Sequence, residues 1–253
     1  MKSLFKLGLA VISLWATSVS LHAQLRGAPA SLTLRTGDTL TGVIHPQSLT
    51  GTLHTIQFQQ ASDEAFQNYN PQDVESFQFY NQRYIGGFVA VETSPRRNGF
   101  RRTTAALEID SQWVFLQVLV DAERGLYTYH APRGNDLFYI LQEGEFQLLS
   151  FKEYLAVSGK NFIAGPDGEI IANTSRPNSG PPSRSKVLQN NRYKGELHRY
   201  MADWPNVVPK LERTRYTKRD LIRLFSGYLK STNRPFVLRH KLVMPKTSSR
   251  ANS

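Results

Sequence analysis

The first half of the chain alternates between polar and apolar residues. Residues 31–34 switch at every step and residues 39–44 alternate over most of their length around Gly37-Asp38, which predicts a β-hairpin. Residues 55–59 keep the same period. Residues 69–74 (YNPQDV) form a proline-led turn that feeds a strand over 76–80, and Asn81-Gln82 turns the chain into another over 84–91. Gly86-Gly87 lies inside that strand pattern, where a missing side chain marks a bulge or a close backbone approach. Residues 126–130, 137–141 and 146–149 predict three more strands, with Arg133-Gly134 and Glu143-Gly144 at the turns between them. Residues 105–110 are a further short candidate. A period of two with one polar face belongs to an antiparallel sheet.

Residues 113–121 fit two patterns. Val114, Val118 and Val120 favour a strand. Trp113, Leu116, Leu119 and Val120 recur at helical spacing with Gly125 placed to end the run, and on that spacing a helix is expected. Residues 165–186 (GPDGEIIANTSRPNSGPPSRSK) hold three Gly and four Pro, and predict a mobile linker or a long surface loop. The pattern then turns helical. A short helix is predicted over 195–202, and Pro205 and Pro209 bound the start of another. The clearest helix covers 216–230, with Thr217 as its cap and Asp220 as the acidic partner of a capping box. Leu221, Ile222, Leu224, Phe225, Tyr228 and Leu229 form one apolar stripe. Such a stripe on a basic helix can lie on a membrane. Its width and its two aromatics favour docking onto the sheet's own core. The fold class predicted is α+β: a mainly antiparallel sheet of about eight strands, then a basic helical C-terminal segment. The expected divisions are 1–23, 24–164 (β-rich), 165–186 (linker), 187–235 (helical) and 236–253 (a basic, disordered tail).

The N-terminus changes the picture of where this fold works. Lys2 and Lys6 precede the apolar run 7–14 (LGLAVISL), and small and polar residues lead to Leu21-His22-Ala23. Charge, apolar run and small residue in that order make a secretory signal peptide, cut between Ala23 and Gln24. The run is about half the roughly 20 residues that span a bilayer. No later stretch reaches that length, so export to the periplasm, or to the outer membrane's periplasmic or outer face, is expected. The sequence contains no cysteine, so packing must replace disulfides, and a lipid-anchored Cys is excluded.

Net charge is +11, and it is unevenly spread. Residues 1–183 carry 14 Lys/Arg against 16 Asp/Glu; residues 184–253 carry 17 against 4. Such asymmetry points to an anionic partner. Behind a signal peptide this means anionic lipid headgroups or an envelope protein rather than nucleic acid. The candidate contacts are Lys210, Arg213, Arg215, Lys218, Arg219, Arg223, Lys230, Arg234, Arg239 and Lys241. A solvated basic face is the alternative.

Chemistry is harder to find. Without Cys or a Gly-x-Ser-x-Gly elbow there is no nucleophile signature. His45, His54, His130, His198 and His240 are scattered, so no local helical metal pair exists. Glu108/Asp110 and Glu143/Glu145 each put two carboxylates on one strand face, the arrangement of a solvated face more often than of an acid–base couple. The aromatics of the β half (Phe58, Tyr69, Phe77, Phe79, Tyr80, Tyr84, Phe88, Tyr127, Tyr129, Phe138, Tyr139), with nearby Arg, suit cross-strand pairs better than a sugar or peptide site. No catalytic residue, metal site or cofactor is predicted, and no enzyme activity.

The order of several segments resembles a family of exported envelope proteins of Bacteroidota. They are the strand–Gly-Asp–strand opening with Ile56-Gln57-Phe58; residues 69–74 leading to Phe77 and Tyr84; residues 115–120 with Gly125-Leu126-Tyr127; residues 193–197; Asp203-Trp204-Pro205; and residues 216–221 with Leu224, Phe225 and Tyr228. In many such proteins this region precedes a porin-like outer-membrane β-barrel. The resemblance implies an exported domain with no catalytic residues to transfer. Relatives often carry Cys at the position of Trp204 and near Thr232, and both are absent here. No barrel follows Ser253, which leaves a stand-alone version or a truncated relative as expectations. A non-enzymatic envelope module is the function expected, with an enzyme acting on an envelope polymer, or a fragment of a barrel protein, as alternatives.

Overall fold

The structure, a computed structural model, describes residues 27–45, 52–60, 65–94, 105–132, 136–157, 162–164, 170–172 and 185–239. The expected signal peptide with its cut between Ala23 and Gln24, the Arg-rich stretch 95–104, the expected Arg133-Gly134 turn, His240, Lys241 and the expected tail lie outside the described residues. So does residue range 165–184 apart from 170–172.

The predicted hairpin forms as β1 (Ala28–Leu34) and β2 (Thr39–Ile44), with Leu32 opposite Leu40. Gly37 sits at φ 95° in its turn, a backbone conformation that suits glycine. β3 (Ile56–Gln60) and a short β4 (Gln67–Tyr69) continue from β2. On the other side β1 pairs with β5 (Val74–Phe79), and β6 (Gln82–Glu92), β7 (Ile109–Asp121), β8 (Leu126–His130), β9 (Asp136–Gln142) and β10 (Glu145–Leu148) follow in antiparallel order. Ten strands thus run β10-β9-β8-β7-β6-β5-β1-β2-β3-β4, and β15 (Val237–Leu238) pairs with the end of β7 as an eleventh. Two small antiparallel pairs stand apart: β11 (Lys152–Val157) with β14 (Ser185–Asn190), and β12 (Phe162–Ala164) with β13 (Ile170–Ala172).

The strand count exceeds the expected eight for identifiable reasons. β4 and β15 are too short to show a period. β7 corrects the expected helix over 113–121: it is a 13-residue strand that absorbs the end of the short candidate over 105–110. Val114, Leu116 and Val118 pack into one hydrophobic cluster with Val89, Tyr127 and Tyr139. Phe115 packs on the opposite face with Phe77 and Leu32, and Leu119 joins a cluster built with the helices. A strand buried on both faces loses its polar alternation, and the resulting apolar run also satisfies helical spacing.

The sheet curls so that β10 comes back against β6. Gly86 and Gly87 make this region possible. A Cβ on Gly86 would sit 2.2 Å from the Val74 carbonyl oxygen and 2.3 Å from that of Pro71, and one on Gly87 would meet the Phe146 ring at 3.1 Å. Inside the curl lies the cluster around Tyr139, whose hydroxyl donates to the Ala90 carbonyl at 2.9 Å. The predicted aromatic ladder forms at the other end: Phe77 stacks on its register partner Tyr84 at 4.8 Å and meets Phe115 edge-on at 5.2 Å.

The outer face of β7–β9 is covered by α1 (Tyr193–Tyr200), α2 (Val207–Arg213) and α3 (Lys218–Ser231). All six residues of the α3 stripe are buried against Leu119, Leu126, Phe138 and Ile140. Each contributes about 1.5–3 kcal/mol of hydrophobic stabilisation. The stripe therefore faces the sheet, as its width suggested. Thr217 caps α3 by accepting from the Asp220 N–H at 3.3 Å. The capping box stays half-made: the Thr217 N–H donates to the Arg215 carbonyl, and the Asp220 carboxylate turns to Arg223.

Candidate functional site

Nine of the ten basic candidates lie among the described residues, Lys241 being outside them, and they divide by what each side chain touches. Three are used inside the fold. Arg234 pairs with Asp203 at 2.9 Å and donates to the Tyr228 hydroxyl, and Arg124 donates to the same hydroxyl at 3.0 Å from the far side. Burial works against the Asp203 carboxylate, but the Tyr228 hydrogen bond and the Arg234 and Arg124 charges hold it below the usual carboxylate range. This cluster locks the end of α3 to the α1–α2 connection and the β7–β8 turn. Arg239 donates to Asp121 at 2.6 Å and to Gln78 at 3.3 Å, while its backbone N–H bonds to Leu119. It clips β15 to the sheet.

Lys218 also turns inward, to donate to the Gln117 amide oxygen at 2.9 Å. It borders a cavity of about 230 Å³ shared with Tyr84, Thr128, His130 and Asp136. Burial pushes its ammonium below the usual lysine range, with Asp136 opposing. His130 and Asp136 approach to 2.9 Å at the cavity's edge.

Six candidates remain exposed: Lys210, Arg213, Arg215, Arg219, Arg223 and Lys230. Lys210 lies over the Trp204 ring at 5.0 Å. The four arginines converge. Arg213 ends α2, Arg215 lies in the connection, and Arg219 and Arg223 are four residues apart on one face of α3. Together with Thr217 and Asp220 they line a concavity of about 400 Å³. Asp220 reaches Arg223 at 3.4 Å. Arg213, Arg215 and Arg219 make no ion pair or side-chain hydrogen bond among the described residues. The connection that positions them is fixed from below. The Tyr193 hydroxyl donates to the Thr214 carbonyl at 2.7 Å, and the Thr214 hydroxyl donates to the Lys210 carbonyl at 2.8 Å.

The carboxylate pairs are placed differently. Asp110 is exposed on β7 and Glu108 precedes that strand. Glu143 and Glu145 both border an open groove of about 920 Å³ with Gln142, Gln147, Asn190 and Arg192. Both are exposed. Among the described residues no group of three His, Cys, Asp or Glu is arranged to hold a metal ion, and no helix is long and apolar enough to cross a membrane.

Sequence reasoning missed Arg124 and the cross-strand partner of Phe88, Trp113, which was expected on a helix. Arg124, which organises the Asp203–Tyr228 cluster, sits in a turn and carries no local signal. Phe88 and Trp113 face each other across β6 and β7 with their rings 5.7 Å apart and Phe88 59% exposed. Arg35 covers the Trp113 ring at 4.5 Å. No family model, curated protein or solved structure matches the chain.

Proposed function

We propose that the protein is an exported, non-catalytic module of the bacterial envelope that docks on an anionic membrane surface through the α2–α3 end of its helical segment. The observation that carries this reading is the convergence of Arg213, Arg215, Arg219 and Arg223 on one solvent-open hollow with a single carboxylate among them. Four like charges gathered around one counter-charge cost stability in the free protein, and an anionic surface that supplies the missing partners offsets that cost. Lys210, one turn before Arg213 on α2, adds to the same field. The signal peptide and the resemblance to exported envelope proteins supply the compartment. An enzyme acting on an envelope polymer would gather facing carboxylates from distant strands, one of them desolvated; Glu143 and Glu145, which border the open groove, are both exposed and do not favour that reading.

The test is co-sedimentation with vesicles containing anionic or only zwitterionic lipid, across a salt series. Binding to the anionic vesicles should weaken steeply with salt. Replacing Arg213, Arg215 and Arg219 together by Ser should weaken it on the order of a hundredfold, since each basic residue at a membrane surface contributes about 1 kcal/mol. Absent binding, or binding indifferent to both salt and the substitutions, refutes the proposal.

A further inference from the structure

Building on the membrane-docking reading, we infer that the hollow at the α2–α3 junction is a phosphomonoester site, selecting lipid headgroups that end in a free phosphate over those whose phosphate is a diester.

The first argument is residue type. All four cations lining the hollow are arginines, while the lysines of the region stand elsewhere: Lys194 donates to the Glu212 carbonyl, Lys210 lies over Trp204, and Lys230 ends α3. A diffuse attraction to negative charge is served equally by ammonium and guanidinium. Guanidinium differs where one anion presents several oxygens, because its planar fork takes two at once. A phosphomonoester offers three terminal oxygens and about −1.5 to −2 charges near neutral pH. A diester offers two oxygens and one charge, too little to satisfy the guanidiniums left unpaired here.

The second argument is preorganisation. α2 ends at Arg213 and α3 begins after Thr217, and between them the Thr217 N–H donates back to the Arg215 carbonyl at 2.8 Å, a tight turn that redirects the chain. Thr214 is held by Tyr193 from below and bonds back to α2, so Arg213 and Arg215 are carried on a braced segment. Arg219 and Arg223 project from a 14-residue helix whose opposite face is buried in the core. The one carboxylate present, Asp220, is directed at Arg223, which leaves three guanidiniums for a ligand. Thr217 already accepts from the Asp220 N–H, so its hydroxyl proton remains to donate. A volume of about 400 Å³ holds a phosphate with part of its hydration.

The experiment compares phosphatidylcholine vesicles doped with phosphatidic acid or with phosphatidylglycerol, adjusted to equal surface potential. The expected result is about tenfold tighter binding to phosphatidic acid, the gain of multidentate guanidinium contacts over charge alone. Inorganic phosphate should displace the protein from phosphatidic acid vesicles more effectively than sodium chloride at equal ionic strength. The charge-keeping double substitution Arg215→Lys, Arg219→Lys should bring the ratio of the two affinities down to about one, because ammonium groups keep the charge and lose the fork. Equal binding to both lipids, or a preference that survives the lysine substitutions, overturns this inference and leaves the docking reading standing. Binding to neither overturns both. Phosphate binding that vesicles do not displace identifies soluble phosphate as the ligand and overturns the headgroup.

Discussion

Removing one oxygen atom, by Tyr216→Phe, tests whether the helical segment is stitched to the sheet by hydrogen bonds as well as by grease. The Tyr216 hydroxyl accepts from the Phe138 N–H at 3.1 Å and donates to the Leu149 carbonyl at 2.8 Å. It occupies the place where the β9–β10 ladder gives out. The ring stays in either case: it stacks on Phe151 at 4.5 Å and meets Phe138 and Tyr193 edge-on near 5 Å, contacts that phenylalanine keeps. The substitution therefore isolates the hydroxyl. Two backbone groups lose their partner in a place closed to water. At about 1–3 kcal/mol for each orphaned group, less whatever relaxation recovers, the loss should be about 2–4 kcal/mol. For a chain of this size that lowers Tm by roughly 5–12 °C. Urea unfolding followed by far-ultraviolet circular dichroism measures it directly. Tyr80→Phe is the control: its hydroxyl makes no hydrogen bond among the described residues, and its cost should stay within about 0.5 kcal/mol. If Tyr216→Phe falls in that same range, the seam is held by hydrophobic contact alone and the reasoning fails.

Two further outcomes follow from the packing. Gly86→Ala should cost about 3 kcal/mol or more, because its Cβ would press on two backbone carbonyls that cannot rotate away. Gly195→Ala, exposed on α1 with nothing near its Cβ, should instead stabilise by about 0.5–1 kcal/mol; equal effects in denaturant melts would refute the close approach at Gly86. The tyrosines set the alkaline limit. Burial pushes Tyr84 and Tyr193 up to about 12, and it raises Tyr139, Tyr200 and Tyr216 as well. The unfolded chain releases these protons near pH 10, so the stability they confer is whole below that pH and drains away as the pH climbs through 12. Absorbance at about 295 nm should show the buried phenols ionising only as the circular dichroism signal is lost; titration of all of them near their ordinary value of about 10 in a still-folded protein would refute this.

Legibility in the sequence followed burial. The β1–β2 hairpin was readable because one face is wet and the other dry, so Leu32 and Leu40 stand out against their neighbours. α3 was readable for the same reason, with Thr217 marking its start. β7 was not, since Phe115 and Leu116 are both buried, on opposite faces, and a period of two vanishes when neither face is polar. At the candidate site, charge alone found the arginines of the hollow. It could not separate them from Arg234 and Arg239, whose partners Asp203 and Asp121 lie 31 and 118 residues away along the chain. Which cations are consumed internally is a property of tertiary contact, and it leaves no trace in local composition.

The curl of the sheet has a consequence for how copies of the molecule meet at high concentration. An open ladder of ten strands ordinarily ends in two raw margins, each a template on which a neighbouring copy can polymerise. Here one margin, β10, is folded back over β6 with Phe146 seated on Gly87, and the other, β4, is three residues long. Crowded copies thus find little strand margin in this sheet to nucleate on, which disfavours their fusing into fibres.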